Sequence, residues 1–152
     1  MAISRENIYA ACFTQLQQLA QIILSTVPVP LFSRRFKHWS QVPINLMPAC
    51  YMQQYEETAD QQSNMGLTRW HSLVNMWFYF SAENYNALPD QTYNAIVDAL
   101  EGAFKPSPVT GRQTLNDTVT HAWVDGKVLY SDGALDRKAV ILAQIHLLWS
   151  GK

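Results

Sequence analysis

The sequence predicts an α+β fold, with two amphipathic helices packed on one face of a mainly antiparallel sheet of four to five strands. Three observations carry this. Segments 5–25 and 90–104 repeat apolar residues at helical spacing. Segments 45–81 and 117–149 alternate, or run apolar, at strand spacing and are punctuated by turn residues. Helix, two strands, helix, three strands is also an order that lets the helices gather on one face of the sheet. A chain of 152 residues can bury most of its apolar surface as one domain spanning 1–152.

Ser4 is positioned to cap the first helix, 5–25, because its hydroxyl can accept from a backbone N–H of the first turn. Ile8, Cys12, Leu16, Leu19 and Ile23 form one stripe, and Gln15, Gln17, Gln18 and Gln21 lie mostly on the other faces. Val27-Pro28-Val29-Pro30 stops the helix, since a residue before proline is pushed out of the helical region. Residues 31–43, LFSRRFKHWSQVP, form a basic and aromatic connector without a clear period. A hairpin is expected over 45–81. Its first strand covers 45–56, with Pro48 at an edge or bulge. The polar, Gln-rich tract 57–66 would be its tip. In 68–81, Trp70, Val74, Met76, Phe78 and Phe80 share one face. Arg69, His71, Asn75 and Tyr79 share the other, which Leu73 and Trp77 make partly dry.

The second helix, 90–104, carries Tyr93, Ile96, Val97, Leu100 and Phe104 as its buried stripe and ends at Lys105-Pro106. Three strands are then expected within 117–149, with turns at Asp125-Gly126 and at Ser131-Asp132-Gly133. The last run, Ala139 to Trp149, is apolar on both faces. A strand of a small antiparallel sheet normally keeps one face wet. Two dry faces need two covers, and the simplest second cover is another subunit.

Composition points the same way. Charged residues make up only 15% of the chain, while aromatics reach 12% with five Trp and seven Tyr. Low charge with many rings suits a surface that partners cover. A net charge of -1 excludes whole-chain attraction to nucleic acid. Cys12 and Cys50 show no metal spacing and read as buried, reduced thiols. No basic segment followed by an apolar run opens the chain, and no stretch is long enough to span a membrane. A soluble protein made in a cytoplasm is the expectation.

Enzyme signatures are lacking: no GxSxG elbow, glycine-rich phosphate loop, HExxH or paired acidic motif occurs. His71 and Ser72 are adjacent on a strand and face opposite ways, which argues against a base and nucleophile pair. No cofactor or metal is expected: the four histidines, His38, His71, His121 and His146, do not cluster in sequence. His121 and Asp125 share a strand face only if that strand stays regular.

Candidate sites are therefore interfaces. Arg34, Arg35, Lys37 and His38 interleave with Phe32, Phe36 and Trp39. The strip reads as a docking surface of guanidinium forks and rings, as a solvated loop whose rings plug its own core, or as a nucleic-acid contact. Glu56, Glu57 and Asp60 at the expected hairpin tip read as a polar projection toward a partner, or as an ordinary mobile loop. Trp123 and His146, on the last sheet segment, complete the set.

Taken in order, several pieces resemble a known family. They are the leading helix, SRRFKHW (33–39), the Pro48-Ala49 strand, the Trp70 strand and the second helix. PSPVTGRQTL (106–115), the HAWVDG segment (121–126) and the closing apolar strand follow. Together, from about Ile8 to Leu148, they resemble the tail terminator, or tail completion, proteins of long-tailed bacteriophages. Met47-Pro48-Ala49-Cys50 departs slightly from the Gln-Pro-Ala-Leu kind of strand start expected there. The resemblance implies a virion protein in the tail or neck, assembled in the host cytoplasm as a ring, typically of six subunits. The ring would cap the head-proximal end of the tail tube, stop its polymerisation and dock the head. Its partners would be other copies of itself, the tail tube protein and the head-tail connector or neck proteins. Genomic DNA would pass through the lumen unbound, and no membrane would be involved. Two alternatives stand: another head-tail joining protein, or a small nucleic-acid-binding protein using residues 33–39.

Overall fold

The computed structural model describes residues 4–19, 31–60, 68–81, 89–135 and 137–151. Its elements are α1 (Arg5–Gln17), β1 (Leu31–Ser33), β2 (Ala49–Asp60), β3 (Arg69–Ser81), α2 (Pro89–Ala103), β4 (His121–Leu135) and β5 (Lys138–Ser150). Short 3-10 turns at Trp39–Gln41 and Ile44–Leu46 lie between β1 and β2. The strands form one sheet in the order β1-β2-β3-β5-β4, antiparallel throughout except for β1 beside β2. The fold is α+β with both helices on one face, as the periodicities require.

α1 begins where the sequence says it does. Ser4 Oγ accepts from the Asn7 N–H at 3.2 Å, filling one of the orphan donors of the first turn. Ile8, Cys12, Leu16 and Leu19 are all fully buried. The expected continuation toward residue 25, including Ile23, lies outside the described residues. Of the expected stripe, α2 buries Tyr93, Ile96 and Leu100, and Phe104 is buried just past its end, while Val97 is only half-buried; Ala99 and Ala103 complete the packed face. Gln15 of α1 donates its side-chain amide to the Ala103 carbonyl, satisfying an acceptor at the end of α2. Beneath both helices lie Cys50 and Met52 of β2, Val74, Met76, Phe78 and Phe80 of β3, and Ile141, Ala143, Ile145 and Leu147 of β5. Each buried aliphatic side chain of this size contributes about 1.5–3 kcal/mol.

Three expectations are corrected. Asp125-Gly126 does not turn the chain, and Ser131-Asp132-Gly133 also lies within β4, which runs to Leu135. β4 runs on through Asp125-Gly126 as a bulge, with the register to β5 shifting between Val124 and Val128. The tail therefore holds two long strands rather than three, and residues 117–120 belong to a turn, not a strand. An Asp-Gly pair favours a tight turn locally, but continuous pairing with the apolar β5 outweighs that preference. Second, β2 begins at Ala49, after a 3-10 turn at Ile44–Leu46, rather than at 45, and continues to Asp60, so Glu56, Glu57 and Asp60 lie in a strand and not at a tip; Asp60 stands opposite Arg69. β2 keeps pairing with β3 by bulging at Tyr55, between Gln54 and Glu56. Residues 61–67 lie outside the description.

The third correction concerns the second sheet face. The aperiodic connector folds back over one end of it. Leu31, Phe36, Trp39, Val42 and Met47 cover Ala49, Tyr51, Tyr79 and Val140. Tyr79 Oη donates to the Lys37 carbonyl at 2.9 Å, and Lys138 Nζ donates to the Trp39 carbonyl at 3.1 Å. Part of the cover assigned to another subunit is thus supplied by the chain itself. The other half of that face has no such roof among the described residues.

Candidate functional site

The unroofed half of the sheet is built from the non-core positions of four strands. Polar side chains cross its middle. Gln53 Oε1 accepts from Trp77 Nε1 at 2.9 Å and from Asn75 Nδ2 at 3.4 Å, while Gln144 Nε2 donates to Asn75 Oδ1 at 3.0 Å. Asn75, only 4% exposed, is thereby satisfied.

Beyond that ladder the register brings three histidines together. His71 stands opposite Leu148, as does His121, and Trp123 stands opposite His146. Their rings overlap in a column: His121 on Trp123 at 5.1 Å, Trp123 on His146 at 4.9 Å, and His146 on His71 at 5.0 Å between centroids. His71 Nε2 and His146 Nδ1 share one hydrogen bond of 2.8 Å. Asp125 Oδ2 lies 3.5 Å from the far nitrogen of His146. The bulge in β4 is what brings Asp125 to that position. Gln113 N–H donates to His121 Nδ1 at 3.1 Å from a loop whose residues Leu115, Asn116 and Asp117 all adopt left-handed backbone, with φ 49°, 58° and 61°. Asn and Asp tolerate that region; Leu115 is held in it by core burial.

Burial holds the His71 imidazole below its ordinary value of 6.5, and proximity to His146 adds to this; Glu56 opposes both. The linkage has a definite sign. His71 binds its proton more readily in the unfolded chain, so its contribution to stability is present above pH 6.5 and is lost as pH falls through the lower folded value. Acidification from neutrality to about pH 5 is expected to lower the urea midpoint of the wild type, and His71→Gln is expected to flatten that dependence. Equal slopes in the two proteins would contradict it.

The basic strip is divided by the fold. Arg34 is bidentate to Glu6 of α1, with Nη2 to Oε2 at 3.2 Å, and the guanidinium holds the Glu6 carboxyl below the usual carboxylate range. Trp39 packs into the connector roof. Arg35 and Lys37 remain exposed. A cavity of about 600 Å³ opens beside them, lined by Glu6, Arg34, Arg35, Phe36 and Met52 to Gln54. Of the acidic candidates, Glu57 turns toward α1, accepting from Tyr9 Oη and from Arg5 Nε at 2.9 Å. Burial, then the bond to Glu57, pushes the Tyr9 phenol up to about 12. Glu56 stays exposed on the other face.

The sequence had placed the charged strip and the acidic residues in exposed connections. It missed the histidine column, because alternation gives a face but not which strands are neighbours. The available signal was that His71, His121 and His146 all occupy non-core positions of their strands. Among the described residues no group of three His, Cys, Asp or Glu side chains could hold a metal ion. No helix among them is long and apolar enough to cross a membrane.

No protein-family model and no curated protein matches the chain in sequence. Its fold, however, is similar to that of a solved chain from the virion of a native gene transfer agent particle. The two superpose with a TM-score of 0.51 at 14% identity, over 93% of this chain and 93% of that one.

Proposed function

We propose that this chain is a structural protein of a phage-like virion, and that it acts as a ring capping the head-proximal end of a tail tube. The observation that carries the reading is the end-to-end likeness in fold to a chain of a gene transfer agent virion. The half-roofed sheet, whose open part carries Leu73, Leu142, Leu148 and Trp123, fits a subunit that finishes burying its surface in an assembly. The mechanism is steric. A ring seated on the last tube layer occupies the surface on which the next tube subunit would add, and its other rim receives the head connector. Cyclic closure calls for different patches of each copy to meet. Arg35 and Lys37 are suited to pairing with carboxylates across such a contact. The nucleic-acid alternative is weakened because Glu6 already neutralises Arg34.

The reading is tested on particles assembled without the protein. Overlong or ragged tubes are expected under the electron microscope, and tubes of uniform length when the protein is present during assembly. Tubes of normal length that merely lack heads would assign it instead to another joining step. Normal particles would refute both.

A further inference from the structure

We propose that the outer edge of β2 in one copy pairs antiparallel with the outer edge of β4 in the next, so that one sheet runs through successive subunits. This inference deepens the ring reading and rests on it.

Two strand edges are open. β1 pairs only with Ala49–Tyr51, so from Met52 onward the outer edge of β2 has no strand partner among the described residues. At the other end of the sheet β4 is the last strand. Each edge presents a row of N–H and C=O groups that pair with water or with another strand. Their directions are compatible. β2 to β3, β3 to β5 and β5 to β4 are three antiparallel steps, so β4 runs opposite to β2 within every copy. Repeating identical copies side by side in one orientation therefore brings the two edges together antiparallel, as a ring of small angular steps requires.

The side chains agree. Tyr55, 60% exposed, lies on the β2 edge, and Leu129 and Tyr130, each 49% exposed, lie on β4. The rows of both edges are broken by bulges, at Tyr55 and between Val124 and Val128. In the register that sets bulge against bulge, Lys127 of β4 falls beside the exposed Glu56 of β2. With Tyr55 taken up by the bulge, Val128 then faces Gln54 on the helix-covered side of the sheet, and Leu129 faces Gln53 on the other. The occupant is thus a second copy, selected by antiparallel edges and by opposite charge at Lys127 and Glu56. A hollow of about 260 Å³ between Tyr9 and Tyr55 gives the incoming side chains room. Bulges and charges also keep isolated copies from pairing in other registers.

The test uses the full chain carrying Gln54→Cys and Val128→Cys, which share a face in this register, assembled on tail tubes and mildly oxidised. The native Cys12 and Cys50 are buried and leave the background low. A ladder of covalent oligomers is expected from the double variant and monomers from either single variant. Dimers from Val128→Cys alone would mean a two-fold β4 contact and overturn the proposal. Rings visible by microscopy without the ladder would overturn it while leaving the ring reading intact; tubes left uncapped by the wild type would sink both. As a second measurement, Glu56→Lys or Lys127→Glu alone is expected to weaken assembly about fivefold per contact, and the two together to restore it. Failure of the pair to restore what each one removes would count against this register.

Discussion

Phe78→Ala is expected to destabilise the fold by about 3–5 kcal/mol, the cost of emptying a fully packed aromatic site. Phe78 is 0% exposed and sits in β3, the middle strand of the sheet, flanked across it by Cys50 and Ile141 and in ring contact with Phe80 at 6.3 Å. Helices cover it from above, so no solvent can fill the void and only partial collapse is available. For a chain of this size each kcal/mol moves the melting temperature by about 2–4 °C, so a fall of roughly 6–20 °C is expected by calorimetry. A loss of under about 1 kcal/mol would mean that this part of the core is not packed as described.

Trp149→Ala is expected to cost a similar about 3–5 kcal/mol, but for a composite reason that a second substitution can separate. Trp149 is 3% exposed near the end of β5, stacked on Trp70 at 5.7 Å with 15° between the planes. The Arg5 guanidinium lies over both rings, 4.6 Å from Trp70 and 5.2 Å from Trp149. The indole N–H donates to Ser72 Oγ at 2.9 Å, and Ser72 is fully buried. Trp149→Phe keeps a ring against Trp70 but leaves that hydroxyl without its donor, so about 1–2 kcal/mol is expected from it alone. Urea unfolding of the two variants checks the order. If Phe costs as much as Ala, the hydrogen bond dominates and the stacked ring contributes little.

These residues also show how far the sequence could be read. The α1 stripe, the α2 stripe and the two faces of β3 were legible because periodic burial leaves a periodic pattern. His71 and Ser72 do face opposite ways, Ser72 into the core and His71 onto the open face, as alternation dictates. What failed was local punctuation overridden by tertiary pairing. Asp125-Gly126 reads as a turn and the polar tract from Glu57 as a hairpin tip, yet a bulge in each strand lets a long ladder continue past them. Connector 31–43 was unreadable for a different reason. Its apolar residues answer to the sheet beneath them, not to each other, so no internal period exists. The histidine column depends on β5 lying between β3 and β4, an order that no spacing along the chain encodes.

The two thiols carry a last consequence. Cys12 of α1 and Cys50 of β2 are both sealed in the core, and burial pushes the Cys12 sulfur up to about 12 and raises Cys50 too. Neither is a usable nucleophile toward an alkylating reagent while the helix stays seated. Any modification of the wild-type protein under native conditions therefore counts excursions in which α1 lifts from the sheet. Labelling kinetics become a stopwatch for that event, and its slowing inside finished particles would report how firmly assembly clamps the helix down.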